Sequence, residues 1–233
     1  MIDFPTLGMG TAPIGNLYRV VSDAEARATL DAAFAAGIAY FDTAPHYGFG
    51  LAERRLGAAL ADHDPQGRAR VSTKVGRLLR PTDAQGERHG FVDADPFEPH
   101  FDYGHDAVLR SFESSQKRLR RDRIDLLLAH DIGRLTHGDA HDDHLAAFLD
   151  GGYRAMRDLR DAGAIGAIGI GVNEVAICHE LLDRVELDAI LIAGRYTLLD
   201  RGAEELLDRC ASAGACTAEP AGACGSACTT ICR

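Results

Sequence analysis

Four residues in this chain have the types and spacing to handle a proton. Asp42 and Tyr47 lie in IAYFDTAPHYG, just past an apolar run, while Lys74 ends RVSTK and His130 ends IDLLLAH. A phenol has a reference pKa near 10, and an ammonium placed beside it favours the phenolate and lowers that value. Asp42 would anchor Lys74 and keep it charged, and His130 could hydrogen-bond a carbonyl oxygen and orient it. Together they suit proton delivery to, or removal from, an oxygen whose carbon exchanges a hydride with a cofactor. The competing reading is structural: an Asp42–Lys74 salt bridge with Tyr47 packed on it.

Such a set works only if something holds the four side chains at one place. The sequence alternates short β-type runs with helix-type periodicity, the signature of βα units around a parallel sheet. Six strands are expected: LGMGT, IAYFDT, ARVSTK, RIDLLLAH, AIGAIGIGV and LDAILIAG. The candidate residues fall at the C-terminal ends of three successive strands, where a parallel barrel carries its chemistry. Helix ends are readable too. Ser22 and Glu25 form a capping box, Leu30, Ala33 and Phe34 supply the buried stripe, and Gly37 stops the turn. Val108, Leu109, Phe112 and Leu119 mark one later helix; Leu145, Phe148, Leu149, Met156 and Leu159 mark another.

Three segments break the alternation. The polar link from Arg77 to Asp102 follows the Lys74 strand and is expected to be a long loop on the substrate side of the mouth, or else disordered. HGDAHDDH, with His137, His141 and His144, reads as a solvated loop leading into a helix rather than a metal site. The tail from Cys210 holds five of the six cysteines and has almost no large aliphatic residue to bury. Its spacings match no zinc knuckle. It is expected to be disordered, or the product of a shifted reading frame.

Composition narrows the function classes. With 46% apolar and 26% charged residues the chain reads as a globular protein, and no apolar run approaches the length of about 20 that crosses a bilayer. No membrane partner is expected. MIDFPTLGMG has neither a basic leader nor a long apolar segment, so no signal peptide is expected and the cytoplasm is the default. A formal charge of −10 argues against a nucleic-acid partner. RLRRDR, residues 118–123, is best read as basic residues closing a helix. GAIGAIGIGV reads as a strand and not as a phosphate-binding turn, so any dinucleotide must be held without a Rossmann fingerprint.

Five motifs taken in order carry a more specific message: DTAPHYG, the lysine of STKVG, the histidine of LLLAHD, GVNE and GRYTLLD. In order and spacing they resemble the aldo-keto reductase superfamily, over about residues 4–210. VGRLL followed by a long link with FVD, FDY and RSFE is most similar to its bacterial D-threo-aldose 1-dehydrogenases and pyridoxal 4-dehydrogenases. The resemblance implies an α/β fold, a (β/α)8 TIM barrel truncated here to about six βα units. Residues 1–210 would form the incomplete barrel and 211–233 the low-complexity tail. It also implies NAD or NADP as cofactor and a small-molecule sugar or aldehyde as substrate.

Carried to matching positions, Tyr47 is the general acid or base, tuned by Lys74 and Asp42, with His130 orienting the substrate oxygen. Asn173 would contact the nicotinamide carboxamide, Tyr196 would stack on its ring, and Gly10 and Thr11 would approach the cofactor. The chain departs from many members in having Val172 where they have Ser, and Ala193 where they have Gln. Neither the seventh nor the eighth βα unit has a counterpart, so weak or no dinucleotide binding and two unpaired sheet edges are expected. A non-catalytic scaffold or an inactive fragment is the alternative.

Overall fold

The computed structural model describes residues 5–212 and 229–232. All six expected strands form, in one parallel sheet: β1 (Met9–Gly10), β2 (Tyr40–Asp42), β3 (Arg70–Val75), β6 (Ile124–His130), β7 (Ile165–Val172) and β8 (Ala189–Ala193). Two further strands, β4 (Arg77–Pro81) and β5 (Phe97–Phe101), pair with each other outside that sheet. The helices are α1 (Asp23–Ala35), α2 (Leu51–His63), α3 (His105–Leu119), the short α4 (Arg134–His137), α5 (His141–Ala147), α6 (Tyr153–Asp161), α7 (Val175–Leu182) and α8 (Glu204–Ser212). The result is a curled part of a (β/α)8 barrel, with strand order β1-β2-β3-β6-β7-β8.

Pleat alternation gives the sheet two different faces. Phe41, Val71, Val75, Leu127, Ala129, Ile168, Ile170, Ile190 and Ile192 join the helices in one apolar core. Leu126, Leu128, Ala167, Ala189 and Leu191 form a separate cluster on the other face. By the same period of two, Tyr40, Asp42, Ser72, Lys74 and His130 share the face of that smaller cluster. The sheet therefore puts an apolar floor beneath a polar rim.

Local signals explain the elements. Ser22 caps α1 as a capping box with Glu25, and Gly37 takes a left-handed φ of 81° just past its end. Three of the four arginines of the basic run at 118–123 are paired: Arg118 with Glu53, Arg121 with Asp64 and Arg123 with Asp125. Among the described residues no helix is long and apolar enough to cross a membrane.

The breaks in the alternation differ from expectation. The Arg77–Asp102 link is not a featureless loop, because β4 and β5 zip into an antiparallel ribbon from Arg77↔Phe101 to Pro81↔Phe97. Its tip folds back on the segment after β1, with Tyr18 N donating to Gly90 O at 2.8 Å and Val92 N to Asn16 O at 3.0 Å. HGDAHDDH is largely helical, spanning the end of α4, a 3-10 turn and the start of α5. His141 is buried, its Nδ1 3.1 Å from Ile132 O. Among the described residues no His, Cys, Asp and Glu cluster could hold a metal. The helix expected from Leu145 to Leu159 is interrupted by a π turn, Phe148–Gly152, where Gly152 passes too close to the Tyr103 carbonyl for a side chain.

Residues 213–228 of the Cys-rich tail lie outside the described residues. Beyond them Thr229–Cys232 forms a final strand, β9, antiparallel to β8. One of the two edges expected to be open is therefore paired.

Candidate active site

The register of the parallel sheet builds the site. Asp42 lies opposite Ser72, Lys74 opposite Leu128 and His130 opposite Gly171, so side chains of one parity converge on one face. Lys74 is 1% exposed and Asp42 5%. Lys74 Nζ donates to Asp42 Oδ2 at 2.7 Å, Asp42 Oδ1 at 2.9 Å, the Thr43 carbonyl at 2.8 Å and the Tyr47 hydroxyl at 3.2 Å. A side chain at residue 171 would crowd the lysine stem, since its Cβ would sit 3.1 Å from Lys74 Cε. Glycine at 171 thus clears the path along which Lys74 reaches Tyr47.

Tyr47 stands on a tight turn, Tyr47–Gly50, immediately after the β2 loop. Gly48 adopts a φ of 64° and lies against the Gly15 backbone, a close approach only glycine permits. The Tyr47 ring meets His130 edge-on, with centroids 6.0 Å apart. All four proton-handling candidates are brought together.

Behind them runs a supporting chain. Ser72 Oγ donates to Asp42 Oδ1 at 2.7 Å and lies 2.8 Å from the Tyr40 hydroxyl. A carboxylate oxygen only accepts, so the serine proton goes to Asp42 and the Tyr40 hydroxyl donates to Ser72. Thr11 is fully buried; its N and Oγ1 both donate to the Asp42 carbonyl, at 2.9 and 3.0 Å. Gly10 pairs with Asp42 in the sheet.

A second polar group closes the other side. Asp131 follows His130 in a left-handed backbone conformation, φ 47°. Its Oδ2 accepts from Arg77 Nη2 at 2.5 Å and lies 3.4 Å from His130 Nε2. Its Oδ1 accepts from Asn173 Nδ2 at 3.3 Å. Arg77 Nη1 is 2.9 Å from His46 Nε2. Asn173, exposed at the end of β7, thus joins the cluster through Asp131. Tyr196 lies on the segment after β8, partly buried, with the Arg201 guanidinium 5.8 Å from its ring centre.

Electrostatics assign protonation states. Burial pushes the Tyr47 phenol up; the Lys74 ammonium pulls it down, but burial wins and the pKa stands above its ordinary value. The expectation of a phenol made more acidic by its cation is therefore corrected: the lysine opposes desolvation without overcoming it. For Lys74, burial disfavours the charge, yet Asp42 and Tyr47 raise the pKa above the ordinary lysine value. His130 is driven well below the usual imidazole range by burial, then by Arg77, Lys74 and His46. His46 falls to about 2, through burial first and Arg77 second. At neutral pH the site holds a protonated phenol, an ammonium and neutral imidazoles.

Sequence reasoning missed Ser72, Arg77, Asp131 and His46. Ser72 was findable, standing two residues before Lys74 and so on the same strand face. Arg77 gives no such signal, because the polar segment it opens reads as loop and forms a strand only through its distant partner.

Comparison with known proteins follows the same lines. The sequence model of the aldo/keto reductase family matches residues 6–219. Pyridoxal 4-dehydrogenase of Microbacterium luteolum is 46% identical over 212 residues, covering 85% of this chain and 61% of that protein. D-threo-aldose 1-dehydrogenase of a Pseudomonas species is 43% identical over 213 residues, covering 89% and 62%. An aldo-keto reductase from Bacillus halodurans, solved in its holo form, superposes with a TM-score of 0.68 at 25% identity, covering 90% of this chain and 59% of that one. The chain spans about three-fifths of the length of these curated relatives.

Proposed function

The chain belongs to the aldo/keto reductase family, and from that premise we propose that it derives from an NAD(P)-dependent oxidoreductase acting on an aldose C1 hydroxyl or an aldehyde. The observation that carries the reading is the bond from Lys74 Nζ to the Tyr47 hydroxyl, 3.2 Å long, backed by a buried Lys74–Asp42 ion pair. Because Lys74 donates into the phenol oxygen, the Tyr47 proton is left for another acceptor. That acceptor would be a substrate carbonyl oxygen. His130, neutral and edge-on to Tyr47, would donate to the same oxygen and hold it.

In the oxidative direction Tyr47 takes the hydroxyl proton back, and the fixed ammonium beside it stabilises the phenolate that must form first. Asp42 keeps Lys74 charged and Ser72 keeps Asp42 in place. A nicotinamide bound at this face would supply or accept the hydride. The residues present fit such a ring: Asn173 offers an exposed amide at the end of β7, and Tyr196 offers a partly buried aromatic face after β8. Asn173 would hold the carboxamide and Tyr196 the ring, with Gly10 and Thr11 beside the site at the end of β1. The relatives named for pyridoxal and D-threo-aldoses favour a polar, oxygen-rich substrate over a plain alkyl aldehyde.

The test is a steady-state assay with L-fucose, D-arabinose, pyridoxal and a simple aldehyde, run with NAD and NADP on the chain and on Tyr47→Phe. Turnover that falls by about 10² to 10⁴ in the variant, with its melting temperature held, is the expected result. Equal turnover in both proteins would refute it.

A further inference from the structure

Among the described residues the Asp131 carboxylate makes no hydrogen bond to Tyr47 or Lys74, yet its Oδ2 lies 3.4 Å from His130 Nε2 on the Arg77 side. We infer that Asp131, locked by Arg77, is a positioning residue that holds His130 as the Nε2–H tautomer, the form able to donate to a substrate oxygen. This rests on the reading of His130 given under Proposed function.

The argument starts from what each group can do. A guanidinium only donates, so Asp131 Oδ2, 2.5 Å from Arg77 Nη2, must accept. Asn173 Nδ2 donates to the other oxygen, so both carboxylate oxygens are fixed as acceptors. His130 Nε2 lies 3.4 Å from that same Oδ2. The contact is electrostatic and not a hydrogen bond: the negative oxygen favours a proton on that nitrogen and disfavours a lone pair there, while leaving the N–H free to donate elsewhere. The proton therefore belongs on Nε2.

The opposite nitrogen agrees. Among the described residues, His130 Nδ1 is buried with no hydrogen-bond partner. An orphaned acceptor inside a protein is tolerated better than an orphaned N–H donor, so the arrangement with a bare Nδ1 is the cheaper one. The neutral ring, held well below the ordinary imidazole range chiefly by burial, carries one proton and must choose.

Geometry explains why Asp131 can reach back to its own neighbour. A left-handed φ of 47° turns the chain sharply after β6, a conformation that aspartate tolerates better than most residues. The Tyr103 hydroxyl fixes the other side by donating to the His130 carbonyl at 2.6 Å. Arg77 is itself steadied, with its second nitrogen on His46 Nε2 at 2.9 Å and its guanidinium 5.1 Å from the Phe101 ring centre. Since Arg77 only donates, His46 presents a bare Nε2 to it and carries its proton on Nδ1, at the cost of a buried N–H with no partner among the described residues, so at His46 the contact with Arg77 decides the tautomer. Two neighbouring histidines are thus set in opposite tautomers by one Arg–Asp pair.

The experiment is long-range ¹H–¹⁵N correlation on the histidine-labelled chain near pH 7.5, with His130 assigned by its disappearance in His130→Gln. The expected spectrum shows His130 as a single Nε2–H tautomer. In Asp131→Gly, which suits the left-handed backbone, Arg77 is released to donate to Nε2 and the signal should move to the Nδ1–H pattern. Asp131→Asn keeps an acceptor oxygen and should retain the Nε2–H form. A wild-type His130 in the Nδ1–H form, or as a mixture, overturns the inference, as does an unchanged tautomer in folded Asp131→Gly. If the glycine variant does not fold, the wild-type and asparagine spectra decide. The readout needs no turnover, so an inactive chain with a clean Nε2–H signal would count against the proposed activity and not against this assignment.

Discussion

Two adjacent residues of β3, Thr73 and Lys74, look in opposite directions and enter two buried ionic groups of opposite character. On the helix side, Thr73 Oγ1 donates to Glu53 Oε1 and Arg118 Nε donates to Glu53 Oε2, both at 2.6 Å, and Arg118 also reaches Ser115. Glu53 is fully buried and both its oxygens are taken. On the inner face, Lys74 and Asp42 are buried too, but their network ends on the Tyr47 hydroxyl, whose proton is uncommitted, and beside a neutral His130 whose Nδ1 has no hydrogen-bond partner among the described residues. A closed network ties α2 and α3 to the sheet. An open one leaves the Tyr47 hydroxyl proton free for a ligand, and the difference separates holding the fold from doing chemistry.

The comparison breaks most sharply if a cation is removed from each side. Lys74→Met and Arg118→Met each strand a buried carboxylate, and breaking such a pair costs about 3–5 kcal/mol. Denaturant unfolding should show both variants destabilised by that order. Turnover per folded molecule should separate them: Lys74→Met should fall by at least about 10²-fold, and Arg118→Met should keep wild-type turnover. Equal loss of turnover in the two variants would mean that the helix-side network also reaches the chemistry.

Acid sharpens the contrast next. His46 and His130 face the inner network and are held neutral, His46 with its pKa at about 2 and His130 well below its usual value. An imidazole free in the unfolded chain takes up a proton near pH 6.5, whereas these cannot until much lower pH. Stability is therefore fully present above pH 6.5 and drains as pH falls from there toward the folded pKa values. Each such histidine costs about 1.4 kcal/mol per pH unit in that window. Melting curves should show a steep loss between pH 6.5 and 5, and His46→Phe should flatten it by about the share of one histidine. An unaltered slope in that variant would show that His46 titrates normally.

How far the sequence reached follows the same division. The strands, the capping box of α1 and the convergence of Asp42, Tyr47, Lys74 and His130 were legible, because a period of two and a strand-end position fix where a side chain points. The β4–β5 ribbon was not legible. Arg77–Pro81 and Phe97–Phe101 carry Pro, Arg and Glu, and their pairing depends on a partner sixteen or more residues away, as Pro81↔Phe97 shows, which no local pattern reports. Arg77 was lost with it, and with Arg77 the meaning of Asp131. The net acidity of Tyr47 was misjudged for a different reason: charge partners can be read from spacing, whereas desolvation is set by the whole surrounding fold.

The finest probe of the inner network is Ser72, which touches none of the residues expected to meet substrate. It lies fully buried, and its hydroxyl donates to Asp42 Oδ1 at 2.7 Å while Lys74 Nζ takes the same oxygen at 2.9 Å. Ser72→Ala removes a hydrogen bond to a charged acceptor, which is worth about 1.5–3 kcal/mol to stability. Lys74 still holds both carboxylate oxygens, so Asp42 should stay in place with more freedom to rotate. Only a fraction of that energy should therefore appear in the transition state, giving a fall in kcat of about 3–10-fold with KM near its wild-type value. A serine that merely fills space would show the loss of stability without the loss of kcat. That split tells whether the inner network extends past Asp42 to Ser72 and Tyr40, or stops at the carboxylate.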